Sequence, residues 1–334
     1  MKKIILHVGS GKTGSTSIQK ALYECKNEND ESLYYPTILN HKGNQIFRFA
    51  FCDINDTPSN VKAKYKNDPQ GYLAYQNAIK ASFKENTHGH DNVIVSSEFL
   101  FLSDKSEIES IKSYLVDLGF TEIHVIMYLR DPAKYYLSVA QQALKNHYKL
   151  PSPDNFRYDM YDAICNWKLI NPQSTILKEF DKRFLHNGDV ISDFNQYIQN
   201  LGYKFKLKLE NAKNESMSVE ATVILQDFHR LLELSNLDET EFTNSKLRAR
   251  RFSNKAAKGT KPVLNVDIAD YIYNKKYTEV AKVANEYGIF KELLVVLSKK
   301  KKIIARVKLG EVKLFTDIVS EFNLSNYLEL LKKL

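Results

Sequence analysis

The chain has 334 residues, 43% of them hydrophobic and 12% aromatic, with a formal net charge of +8. That length and composition exclude a disordered or fibrous chain and leave room for one large domain or two. The positive balance favours anionic partners, among them nucleotides, acidic glycans, phospholipid surfaces and nucleic acid.

The first element is a short apolar run, Ile4, Ile5 and Leu6, followed by His7 and Val8, which predicts a buried parallel strand. The turn Gly9-Ser10-Gly11-Lys12-Thr13-Gly14 comes next. Ile18, Ala21 and Leu22 then fall on one helical face. Strand, glycine turn and helix together predict an anion cradle. Glycines let the backbone come close, and the helix N-terminus offers unpaired N–H groups. Lys12 adds a full charge, and Ser15, Thr16 and Ser17 add hydroxyls.

Further on, Leu33 to Pro36 reads as a short strand, and residues 40–68 as a polar, irregular loop near the site opening. Gly71 to Lys84 is helical. Asn92 to Ser96 is a second strand with Glu98 at its C-terminal end. Ser103 or Asp104 caps a helix that carries Ile108, Ile111, Leu115 and Leu118 and is closed by Gly119. Glu122 to Leu129 is a third strand, running into Arg130-Asp131-Pro132. In the following helix Tyr136, Val139, Ala140, Ala143 and Leu144 form the buried stripe, and Lys134, Ser138, Gln141 and Lys145 a polar one. Thr175 to Phe180 is a fourth strand and Val190 to Leu201 a helix stopped by Gly202. Helices dominate from Asn214 onward, including one capped by Ser218 and one over Ile268 to Tyr287 ended by Gly288. The run Lys299 to Lys302 reads as a solvated turn, with contact to an acidic lipid or glycan surface as the second reading.

Strands alternating with helices predict an α/β fold: a P-loop-like parallel sheet flanked by helices, with a helical C-terminal part. The expected division is 1–288 for the α/β domain, mainly helical over 213–288, and 289–334 for a helical extension. Cys25, Cys52 and Cys165 are scattered, which argues against a disulfide framework or zinc site. No stretch approaches the ~20 apolar residues of a spanning helix, and the apolar run after Met1 is too short for a signal peptide. A cytoplasmic protein is expected.

The nucleotide-triphosphatase loop G-x-x-x-x-G-K-(S/T) is not met, because Leu6 stands where its first glycine belongs. The stretch from His7 to Gln19 instead resembles the 5′-phosphosulfate loop of sulfotransferases that use 3′-phosphoadenosine 5′-phosphosulfate (PAPS). It is most like the bacterial pattern H-x-G-x-x-K-T-G-(S/T)-(S/T)-S-x-Q. YLRDPAKYYLSVAQQALK resembles the family's 3′-phosphate motif, a strand-end arginine followed by a serine, here Arg130 and Ser138. NESMSVEA, from Asn214, and FLHNGDVISDFNQYI, from Phe184, resemble two further segments. The likeness runs from about Lys3 to Gly288.

That resemblance implies a PAPS-dependent sulfotransferase. Gly11, Lys12, Thr13, Gly14, Ser15, Thr16 and Ser17 would hold the 5′-phosphate, and Arg130 and Ser138 the 3′-phosphate. A basic loop carrying Arg250, Arg251 and Lys258 would close over the 3′-phosphate, and Gln142 and Lys145 would meet the acceptor. Lys12 would donate to the bridging oxygen in an in-line transfer. The expected proton acceptor is Glu98, at the ligand-facing end of its strand, with His7 as the rival. The implied acceptor is a hydroxyl on a carbohydrate, such as a surface polysaccharide or glycolipid. No metal and no nucleic-acid partner are expected, and a peripheral membrane-surface contact is a secondary expectation. The alternatives are a P-loop small-molecule kinase or nucleotide hydrolase, which would need Mg²⁺ and a strand-end Asp, and a basic binding protein without turnover.

Overall fold

Ile4, Ile5, Leu6 and Val8 have no solvent exposure, as expected of a strand covered on both faces. In the computed structural model of the chain they lie in β1 (Lys2–Gly9), followed by β2 (Asn92–Ser96), β3 (Phe120–Leu129) and β4 (Thr175–Glu179). All pairings are parallel, and the strand order is β2-β1-β3-β4. The structure describes residues 2–25, 33–171, 174–204, 206–208, 216–253, 259–305 and 307–331.

Helices follow in chain order as α1 (Ser15–Cys25), α2 (Ser59–Tyr65), α3 (Pro69–Asn86), α4 (Lys105–Asp117), α5 (Pro132–Leu144) and α6 (Met160–Lys168). After these come α7 (Val190–Asn200), α8 (Val219–Leu234), α9 (Glu239–Ser253), α10 (Val266–Tyr287), α11 (Lys291–Ile304) and α12 (Leu324–Leu331). The fold is α/β with a helical C-terminal region. Two compact units are present: Met1–Arg130 with Asp159–Asn211, and Asp131–Tyr158 with Ala212–Leu334. The sheet belongs to the first. The expected boundary at 288 falls inside the second, between α10 and α11.

In the first unit, β1 and β3 lie side by side, with Gly9 opposite Tyr128. The chain leaving β1 returns as β2 on one side, and the chain leaving β3 returns as β4 on the other. Such a reversal opens a crevice at the C-terminal strand ends, where α/β sheets bind ligands. The core beneath it contains Ile5, Ile18, Leu22, Ile94, Ile126 and Phe194.

Several expected elements differ from those observed. Residues 40–68 are not an irregular loop but a string of 3-10 turns and α2, with Ile46, Phe47, Phe49 and Ala50 buried. Their organising contact is the buried pair Arg48–Glu107 at 2.8 Å, a partner 59 residues away. Leu33 to Pro36 contributes an isolated bridge, Tyr34 to Val93, and no full strand. Helix α6, which has no counterpart among the expected elements, is anchored by Trp167, whose indole N–H donates to the Leu100 carbonyl at 2.9 Å.

In the second unit the basic stretch expected as a loop is helical through Ser253. Asp238 accepts from the Glu241 N–H at its start. Glu239 and Glu241 in its first turn match the helix dipole. Lys299 to Lys302 likewise lies on α11 and not in a turn.

Candidate anion-binding site

The loop after β1 is held from within. The Ser10 N–H and hydroxyl both reach the Tyr128 carbonyl at 3.2 Å, and the Thr13 hydroxyl donates to the Ser10 carbonyl at 2.6 Å. Lys12 has φ +66° and Gly14 φ +78°, whereas Thr13 is not in the positive-φ region. Alternating signs turn successive N–H groups toward one concavity, an arrangement that cradles anions. A left-handed lysine costs about 1–2 kcal/mol, so something must hold it. Arg130, the residue after β3, supplies this: its Nη1 donates to the Lys12 carbonyl at 2.7 Å, and its guanidinium lies 5.7 Å from the Phe180 ring centroid. The two residues singled out in the sequence, Lys12 through its backbone and Arg130 through its side chain, are therefore joined at one end of the sheet.

Gly14 has no room for a side chain. A Cβ there would stand 2.9 Å from Val190 Cγ1 and 3.3 Å from the Phe180 ring. A Gly14→Ala variant combines this clash with an unfavourable φ and is expected to lose about 2–4 kcal/mol of stability, read by urea unfolding. An unchanged unfolding midpoint would show that the loop can move off α7.

Beneath the loop lies a buried polar floor that explains the Gly188-Asp189-Val190 segment. Asp189 caps α7 through the Ser192 N–H, and Asp193 accepts from the Tyr128 hydroxyl at 2.8 Å and the His186 N–H at 3.0 Å. Tyr128 and Phe194 make T-shaped ring contacts with His7, 5.7 and 5.3 Å away between centroids. His7 is fully buried, and its Nδ1 pairs with Ser96 Oγ at 2.7 Å. Its Nε2 has no hydrogen-bond partner among the described residues.

Burial pushes the His7 pKa down to about 3. Between pH 6.5 and about 3 the unfolded chain takes up a proton at this residue that the folded chain refuses. Stability therefore falls as pH falls, by about 1.4 kcal/mol per pH unit from this group. His7→Gln removes that dependence, so the stability difference between wild type and variant should shrink from pH 7 to pH 5. A constant difference would contradict it.

Glu98 follows β2 and is half-buried. Its Oε2 accepts from Gln19 Nε2 at 2.8 Å, and Gln19 Oε1 in turn accepts from Gln45 Nε2 at 2.7 Å. With Gln19 buried on α1, this chain of amides fixes the carboxylate beside the start of the loop helix. Gln45 carried no signal in the sequence, because its segment reads as polar loop. Buried Tyr35, whose pKa is raised by burial and by the nearby Glu98 charge, is a second residue that periodicity alone did not reveal.

Among the remaining loop residues, Ser15 is buried, Gly11 and Ser17 are half-buried and Thr16 is exposed. Ser138, Gln142, Lys145, Arg250 and Arg251 belong to the second unit. There Asp131 caps α5 by accepting from the Ala133 and Lys134 N–H groups and also accepts from the Tyr273 hydroxyl at 2.9 Å. Ser138 is half-buried and Gln142 exposed, while buried Gln141 ties α5 to Met217 and Thr222 at 3.0 Å. Lys145 is half-buried; burial lowers its pKa, and its carbonyl accepts from His229 at 3.2 Å. Arg250 and Arg251 stand on α9, with Arg251 exposed. Lys258 and the first two residues of NESMSVEA lie outside the described residues.

Among the described residues no group of three or more His, Cys, Asp or Glu is arranged to hold a metal ion, and no helix is long and apolar enough to cross a membrane. Comparison with known proteins finds no family model that matches the chain and no matching curated protein.

Proposed function

We propose that the chain is a PAPS-dependent sulfotransferase acting on a hydroxyl acceptor, with a bacterial surface carbohydrate as the acceptor class. The observation that carries this reading is the 2.7 Å hydrogen bond from Arg130 to the Lys12 carbonyl, which joins a phosphate-type loop to a second cation at the neighbouring strand end. A nucleotide phosphorylated on both its 5′ tail and its ribose calls for two adjacent cationic positions. The residues fit such a donor by their chemistry: alternating φ at the loop, a lysine on it and a fork-shaped guanidinium next to it.

PAPS supplies the sulfuryl group and leaves as PAP, its 3′,5′-bisphosphate product. Loop N–H groups with Ser15, Thr16 and Ser17 bind the 5′-phosphate, and Lys12 stabilises the charge that develops on the leaving oxygen. The acceptor oxygen forms the new S–O bond and its proton passes to the Glu98 carboxylate. Gln19 is a positioning residue: it holds Glu98 through the 2.8 Å bond. His7, sealed under the loop and kept neutral, supports the floor. The rival reading as a Mg²⁺-dependent kinase calls for a strand-end aspartate free to hold metal, whereas the Asp131 side chain is engaged in capping α5.

The test is release of PAP from PAPS in the presence of a panel of hydroxylated glycans. Turnover is expected, with a loss of ~10²-fold or more in Glu98→Gln. Gln19→Leu should lower kcat by about tenfold with PAP affinity unchanged, because a misaligned base costs rate and not donor binding. Nucleoside triphosphate hydrolysis that needs Mg²⁺, with no PAP released from PAPS, would overturn the reading.

A further inference from the structure

Helix α11 has two unlike faces. It packs against α10 and buries Leu297 and Ile304. On the opposite arc Val295, Val296 and Ile303 are 56%, 52% and 62% exposed. With Lys299 they share one face of the helix at 100° per residue. The four lysines divide between the faces. Lys300 reaches Asp270 on α10 at 3.5 Å, and the Lys301 ammonium lies 4.9 Å from the Tyr277 ring centroid, so both are tied inward. Lys299 and Lys302 are exposed and form no ion pair among the described residues. Between residues 291 and 313 the sequence carries eight basic and two acidic side chains, so most of the chain's net +8 is concentrated here.

We propose that this outward face of α11 docks on an anionic lipid bilayer, lying in the interface plane. Single exposed apolar residues are ordinary, but three on one arc of a helix, with lysines within and beside it, match the way interfacial helices bind. The valines and isoleucine gain by entering the boundary between headgroups and acyl chains, and the lysines meet anionic headgroups. Nucleic acid would satisfy the charges but offers no apolar medium for the arc. A second copy would cover the arc but set like charges against each other. The surface is independent of the nucleotide chemistry proposed above.

The experiment is co-sedimentation of the full chain with vesicles of phosphatidylcholine alone, and with vesicles in which about a third of the lipid is phosphatidylglycerol. Binding is expected to the anionic vesicles, weakening as salt rises. Reversing two surface charges in Lys299→Glu/Lys302→Glu should weaken partitioning by roughly 25-fold or more, from about fivefold per lysine contact. Replacing the arc in Val295→Ser/Val296→Ser/Ile303→Ser should also weaken it while leaving the salt dependence. All five positions are exposed, so thermal melts should match wild type, which separates lost binding from lost folding. The proposal is overturned by equal sedimentation with both vesicle types, or by undiminished binding of the charge-reversed variant. Oligonucleotide binding or self-association that needs these residues, without vesicle binding, overturns it as well.

Discussion

Lys12→Ala is expected to lower sulfuryl transfer by ~10²–10³-fold while weakening PAP binding far less. The split follows from what the lysine meets. Charge on the leaving oxygen appears only as the S–O bond breaks, so a cation aimed there acts on the transition state more than on the bound ground state. The backbone N–H groups of the loop are unchanged in the variant. Alanine inherits the same left-handed φ of +66°, so the loop keeps its strain and its shape is not relaxed by the change. A companion variant, Lys12→Gly, removes both charge and strain. Equal loss of transfer in the two would assign the effect to the ammonium. Recovery of activity in the glycine variant would assign it to backbone conformation and contradict the account.

Arg130→Ala should have the larger effect on binding, with PAP affinity falling by ~10²-fold. Two losses combine. The proposed charge-assisted partner for the ribose phosphate would disappear, and so would the 2.7 Å bond to the carbonyl of Lys12 in its left-handed conformation. Arg130→Lys is not expected to rescue, because an ammonium lacks the fork that can serve a carbonyl and a phosphate at once. Calorimetry on the two variants beside wild type decides it. Rescue by lysine would mean that only net charge counts at this position.

Much of the fold was legible because its signals are local. Ile4 to Val8, Asn92 to Ser96 and Glu122 to Leu129 are short apolar runs bounded by turns, and each is a strand. Asp104, Asp189 and Ser218 cap the helices expected to follow, and Gly119, Gly202 and Gly288 adopt the positive φ that ends them. Hidden were the features that depend on partners distant in sequence. Arg48 looks like a loop residue until Glu107 neutralises it, and only then do Phe47 and Phe49 become core. Gln45 reaches Glu98 through Gln19, a connection spanning three segments. Thr13 reads as a phosphate ligand by residue type, yet its hydroxyl closes the loop onto Ser10. The basic run after Lys246 carries little apolar signal of its own, and its helix rests on a contact with another element: buried Ala249, with Phe252, packs in one cluster with Ala221 and Leu225 of α8.

We propose that the loop after β1 and the arginine after β3 together recognise a nucleotide phosphorylated on both ribose and tail. Titration calorimetry of the chain with PAP, against ADP and ATP without Mg²⁺, tests it most directly. Tight binding of PAP, at least ~10²-fold preferred over ADP and lost in Arg130→Ala, is the predicted result. ATP bound more tightly than PAP, or PAP binding indifferent to Arg130, would contradict it.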